Sequence, residues 1–130
     1  METKKVVAVF AGIRVPELGE KACNANFRGG LEDLAGHVIE GAVKIGIEII
    51  PITYFYPYHW RTDESIDYSR TSAQLQYSLD VDIHFHTRSV PIYTVSRAGV
   101  KVYGINDPEA GKLYPGDDGA KQRQAAFLGR

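Results

Sequence analysis

An α/β fold is predicted, a partial Rossmann-like parallel sheet joined to an antiparallel β meander, on three observations. "KKVVAVF" opens the chain as a β-branched run without polar alternation, as in a strand of a parallel sheet buried on both faces. Apolar residues then recur at Leu34, Val38, Ala42 and Ile45 from Leu31, one face of a helix, with Gly46 placed as a C-terminal cap. Finally "VDIHFHT", "VPIYTVS" and "VKVYGIN" succeed one another as β-rich runs divided by "RS" and "RAG".

Taken in order, the first run is expected to be the central strand. Residues 11 to 28, "AGIRVPELGEKACNANFR", mix glycine, proline and charge without periodicity and read as a long surface loop. The helix of about four turns comes next. "IEIIPITYF" reads as a second buried strand, in which Pro51 must sit where the ladder needs no donor. Strand, loop, helix and strand make one βαβ unit. "YPYHWRTDESIDYSRTSAQLQYS" is read as irregular, and the three-run meander comes after it. "DPEAGKLYPGDDG" is turn chemistry, and "AKQRQAAFLGR" begins a helix with no room to complete a face, so residues 1 to 130 read as a single incomplete lobe.

Composition narrows the function classes. A chain of 130 residues with 44% hydrophobic content supports one core. Fifteen basic against sixteen acidic side chains, with no block of like charge, argue against nucleic acid and against a polybasic membrane anchor. The apolar opening run is too short for a signal segment or a membrane span, and the single Cys23 fits a reducing compartment, so a cytoplasmic location is expected. No base near Cys23 in sequence marks it as a nucleophile.

The chemistry centres on Gly29 and Gly30, which stand directly before the helix. A helix N-terminus exposes unpaired amides and about half a positive charge, and a backbone without Cβ atoms there lets a phosphate approach. An ordinary tight turn explains the same pair. Glu32 and Asp33 favour the helix dipole as first-turn acids but repel an anion, and the stretch matches neither GxGxxG nor the P-loop. His59, Trp60 and Arg61 form a candidate sugar platform, with an aromatic plug against the core as the alternative. Asp82, His84 and His86 share one face if "VDIHFHT" is a strand, which suits zinc or simply a solvated face; no metal is expected. The carboxylates of "NDPEAGKLYPGDDG" lack EF-hand spacing.

"VAVF", a loop and "RGGLEDLAGH" resemble the start of the α-glucan phosphorylases (glycogen, starch and maltodextrin phosphorylases), through Gly29, Gly30, Leu31, Leu34, Ala35 and Gly36, with Glu32 in place of a third glycine and His37 in place of an aspartate. "KIGIEIIPITYFY" and "VPIYTVSRAGVKVYGIND" resemble that family's next strand and its meander, which ends near an aspartate. "LYPGDDGAKQRQAAFLG" is similar to its Leu-Tyr-Gly-Gly-Asp, Arg-x-x-Gln, Leu-Gly block through Leu113, Tyr114, Gly116, Asp117, Arg123, Gln124, Leu128 and Gly129. Glycogen and starch synthases share the two-lobed GT-B architecture, and "RGGLEDL" resembles their Gly-Gly-Leu-x-Asp, although Phe27 stands at the position of their lysine.

The resemblance implies an amino-terminal GT-B lobe whose Gly29, Gly30 and Leu31 face phosphate or the transferred glucose. The implied activity is phosphorolysis of α-1,4-glucan to glucose 1-phosphate, with pyridoxal phosphate in the complete enzyme bound through a lysine of the other lobe. The implied partners are α-glucan and phosphate, together with a homo-oligomer or a complementing carboxyl-terminal lobe. A non-catalytic module that binds phosphate or sugar is the reading from another class.

Overall fold

The computed structural model describes residues 5–83, 86–111 and 113, with residues 83 and 86 as backbone only. Its elements are β1 (Lys5–Phe10), a 3-10 turn at Pro16–Leu18, α1 (Glu20–Ala25), α2 (Gly30–Lys44), β2 (Glu48–Tyr54), a 3-10 turn at Tyr68–Arg70, β3 (Gln74–Ile83), β4 (His86–Arg97), β5 (Val100–Ile105) and a 3-10 turn at Pro108–Ala110. The strands form one mixed sheet in the order β1-β2-β5-β4-β3. β1, β2 and β5 run parallel, and β5, β4 and β3 form the antiparallel meander. This is the α/β class expected, with the two kinds of pairing meeting at β5.

Position in the sheet corrects the expectation for β1. It lies at the edge, paired only with β2 among the described strands, and Val7 is 61% exposed. A β-branched run is equally suited to an edge whose apolar side chains stay open. The centre falls to β5, between a parallel and an antiparallel neighbour. Two prolines mark the ends of its ladders. Pro51 pairs in register with Ala8, one residue before the β2–β5 ladder opens at Ile52. Pro91 lies one residue outside the β4–β5 ladder, which ends at the pair Ile92 and Ile105, and its carbonyl accepts from the Asn106 amide. Each missing donor thus falls outside a β5 ladder.

The expected surface loop 11 to 28 contains a 3-10 turn and α1, and it folds inward: Ile13, Val15, Leu18, Ala22, Cys23 and Ala25 are buried. The expected irregular stretch ends early, because β3 begins at Gln74. "VDIHFHT" is not one strand: β3 stops at Ile83 and β4 starts at His86, so the run straddles a reversal of the chain.

Helix α2 ends as the sequence predicts. Gly46, with φ of 76°, sends its amide to the Val43 carbonyl while the Ile47 amide reaches Ala42, a Schellman closure that needs the left-handed backbone glycine allows. Its buried face differs from the expected one. Glu32, Ala35, Gly36 and Ile39 point inward, whereas Leu31, Leu34, Val38 and Ile45 are exposed. Small residues decide the orientation. A Cβ on Gly36 would lie 3.0 Å from the Arg97 guanidinium, and that buried cation crosses the helix to reach the Arg14 carbonyl at 3.2 Å and Glu40 at 2.7 Å.

The Arg97 pair gives a signed pH dependence. Hydrogen bonding and charge from Arg97 hold the Glu40 carboxyl below its ordinary value of 4.5. A depressed carboxyl pKa adds stability that is fully present above the unfolded-state value and is lost as pH falls through the folded one. The urea midpoint of the E40Q variant is therefore expected to lie below that of the wild type at neutral pH. The two midpoints should converge on acidification below about pH 4, and a gap independent of pH would contradict the pairing.

Two cores lie on opposite faces of the sheet. One packs Ile13, Val15, Ile39, Ile49, Val95 and Val102 between the strands and the helices. The other gathers Tyr54, Tyr56, Val90, Ile92, Ile105 and Leu113 around the carboxyl ends of the parallel strands. Beyond that second cluster the same face is open: Val7, Val9, Ile50, Ile52, Leu79 and Val81 help to line a trough of about 630 Å³. Among the described residues no helix is long and apolar enough to cross a membrane.

Candidate functional site

Parallel pairing of β1 with β2 directs the N-terminus of the intervening α2 to the carboxyl end of the strands, where open sheets hold ligands. A network of buried side chains fixes the approach. Asn26, fully buried, donates from Nδ2 to the Ala22 carbonyl at 2.9 Å and to the Tyr68 hydroxyl at 2.8 Å, and its Oδ1 accepts from the Tyr56 amide at 3.0 Å. The Tyr68 hydroxyl donates in turn to the Tyr56 carbonyl at 2.7 Å, and the Tyr56 hydroxyl donates to the Ala11 carbonyl at 2.6 Å. Burial raises the Tyr68 pKa, so the phenol stays protonated and able to donate. The ends of β1, α1 and β2 are thereby tied together, and the chain leaves Asn26 in a defined direction.

Gly29, at the N-cap of α2, is extended, with φ of −166°. A Cβ on Gly29 or Gly30 would meet nothing within 4 Å. Neither glycine is therefore required by crowding inside the protein, and neither adopts the left-handed backbone that favours glycine. Gly30 and Leu31 are exposed. The Gly29 amide donates to Glu32 Oε2 at 3.3 Å, half of a capping box. The next amides, of Gly30 and Leu31, start the helix and have no partner within it.

The two candidate groups of the sequence meet here. Trp60 donates from its indole nitrogen to the Asn24 carbonyl at 2.9 Å and to the Phe27 carbonyl at 3.1 Å, two residues before Gly29. The Arg28 guanidinium lies over the Trp60 ring at 4.8 Å, and Arg14 lies over the Phe27 ring at 5.4 Å. His59 stacks beside Trp60 at 5.5 Å. Its Nδ1 accepts from the Arg61 amide at 3.0 Å and the Thr62 amide at 3.4 Å. Arg61 joins the site only through its backbone; its side chain is exposed, and the guanidinium on the tryptophan belongs to Arg28. Arg28 was legible as the cation immediately before the glycine pair. Asn26 carried no sequence signal for its role.

Glu32 is the unusual member. It is 1% exposed, and its Oε1 has no hydrogen-bond partner among the described residues. Its stem fills the space beside Gly12, where an added Cβ would lie 3.0 Å from Glu32 Cγ, 3.2 Å from the Asn26 carbonyl oxygen and 3.3 Å from Leu113. Its neighbour Asp33 faces Arg14 at 3.9 Å.

Other candidates resolve differently. Cys23 is buried, and burial pushes its thiol pKa up, which suits a packing residue rather than a thiolate nucleophile. Asp82 accepts from the Thr87 hydroxyl across the β3–β4 pair, while His84 and the His86 side chain lie outside the described residues. Asp107, at the end of the meander, is held by Arg88 and accepts from the Glu109 amide at 3.0 Å. Of the "LYPGDDGAKQRQAAFLG" block only Leu113 lies within the described residues, and the expected terminal helix lies outside them. Lys5 and Lys21 are occupied by Glu48 and Glu64 in exposed pairs, and Lys44 and Lys101 are exposed. No described lysine is thus enclosed, and the cofactor lysine implied by the resemblance belongs to the other lobe. A scan of protein-family models and a search of curated proteins found no match to this chain.

Proposed function

We propose that this chain is the sugar-holding part of an α-glucan glucosyltransferase of the phosphorylase type, within a GT-B lobe that works with a complementary lobe. The observation that carries the reading is the glycine pair. Serine or aspartate caps a helix at least as well as glycine, and neither backbone angle nor packing demands Gly29 or Gly30. Close approach of a ligand to the main chain supplies the reason that the fold itself does not. Trp60 beside the turn, with the Arg28 guanidinium over its ring, gives a mixed apolar and cationic rim against which a sugar can lie. The pattern "RGGLEDLAG" supports the glucan assignment through its resemblance to the phosphorylases.

Titration of the full chain with maltose, followed by amide and indole NMR, tests the reading. The Gly29, Gly30 and Leu31 amides and the Trp60 indole are expected to shift together. W60A should weaken maltose binding about tenfold, through loss of the apolar rim and of the ring that holds Arg28 beside the turn. Shifts confined to residues remote from α2, or an unchanged affinity in a folded W60A variant, would refute it.

A further inference from the structure

One face of the sheet is roofed by the helices, with Ala22 of α1 and Ala35 and Ile39 of α2 packed on Ile49, Val95 and Val102. The other face lies open along most of its width. We infer that residues 114–130, which follow Leu113, close that open face by laying Phe127 and Leu128 into its trough. Sheets with parallel strands are stable when both faces are covered. Here the trough of about 630 Å³ runs from Val7 and Val9 on β1 through Ile52 and Tyr103 to Leu79 and Val81 on β3, with no charged side chain in its lining. Val7, Val9 and Leu79 are exposed.

The path of the chain selects the occupant. After β5 the 3-10 turn at Pro108–Ala110 carries the backbone to Leu113, which is 1% exposed in the second core beside Ile92 and Ile105. Ile92 and Ile105 also line the trough, so the residues after Leu113 set out from its border. The next six, "YPGDDG", are turn chemistry with a reach of at most about 20 Å, and the helix expected from Ala120 would be about 16 Å long. The five strands are together about 19 Å wide. The segment is therefore long enough to turn back and cross the face. At helical spacing Ala120, Gln124, Phe127 and Leu128 fall on one side, and the long stems of Lys121 and Arg123 at its flanks can carry their charges to water. An uncharged apolar floor suits that side.

The test uses the full chain, with isotope-labelled and unlabelled protein mixed so that contacts within and between molecules are separated by NMR. Contacts from the Phe127 ring to the Val7, Val9 and Leu79 methyls are expected within one molecule. F127D/L128D should uncover the trough and raise the fluorescence of an apolar dye at least threefold, whereas I45D, at the exposed end of α2, should leave it unchanged. Should F127D/L128D lose the dispersion of its amide spectrum, F127A/L128A takes its place, and the methyl contacts of the wild type decide in either case. Absence of those contacts, or equal dye binding by the wild type and a folded double variant, overturns the inference. Contacts found only between labelled and unlabelled molecules overturn it too, and give the trough to a second copy of the chain.

Discussion

Removal of the Asp107 carboxylate, in D107A, is expected to lower stability by about 3 to 5 kcal/mol, the range for breaking a buried ion pair at one partner. Arg88 donates to Asp107 from Nε at 3.0 Å and from Nη2 at 2.5 Å, and the aspartate is 2% exposed. Truncation leaves a guanidinium that is largely buried with only Glu109, at 3.0 Å, to answer it among the described residues. It also removes the cap of the 3-10 turn that carries Ala110 into the second core. Denaturant unfolding of D107A measures the loss. The double variant R88M/D107L should recover most of it, because a well-packed apolar pair avoids the desolvation of two charges. A loss under about 1 kcal/mol in D107A would show that the pair is solvated and structurally idle.

The second large effect is expected at Gly104. A Cβ there would lie 2.3 Å from two atoms of the Phe55 ring, well inside any tolerable contact. The ring cannot readily retreat: it is fully buried and stacks on Tyr68 at 4.9 Å, and the Phe55 amide is bound to the Ile105 carbonyl at 2.9 Å. G104A should cost about 3 kcal/mol, at the upper end of overpacking penalties, and lower the melting temperature by roughly 10 °C. Pairing it with F55L should return part of that stability, since the two residues touch and their effects are not additive. Additive losses in the double variant would place the strain elsewhere.

Much of the architecture was legible, and the misreadings have physical causes. The glycine at the end of α2 and the meander arise from local chemistry, a left-handed backbone in one case and β propensity in the other. The orientation of α2 was not legible, because the buried face runs through Ala35 and Gly36, and the missing Cβ of Gly36 admits Arg97 from β4. An apolar stripe through Leu31, Leu34 and Val38 gave the stronger periodic signal and points to solvent. The place of β1 depends on which strand pairs with β2 on its other side, and that strand comes about fifty residues later. In "VDIHFHT" a reversal hides inside an unbroken run of β-forming residues.

The site divides in the same way. Gly29, Gly30 and Leu31 could be placed at the start of a helix from sequence, whereas the nearness of Trp60 needed the long-range bonds from its indole to Asn24 and Phe27. The guanidinium over the Trp60 ring is that of Arg28, whereas the Arg61 amide is bound to His59 Nδ1 and its side chain is exposed. Glu32 was visible as a first-turn acid, but only its burial shows that the carboxylate turns back on the main chain.

Pro51 and Pro91 give the sheet a built-in ruler. Each stands one step past an end of a ladder made by β5, Pro51 before the parallel pairing begins and Pro91 where the antiparallel pairing stops, so both flanks of that strand meet a residue with no amide to donate. A slip of the innermost strand would bring a bond-deficient residue into line on one side or the other. Alignment there is guarded by main-chain chemistry as well as by the alternation of greasy and polar side chains.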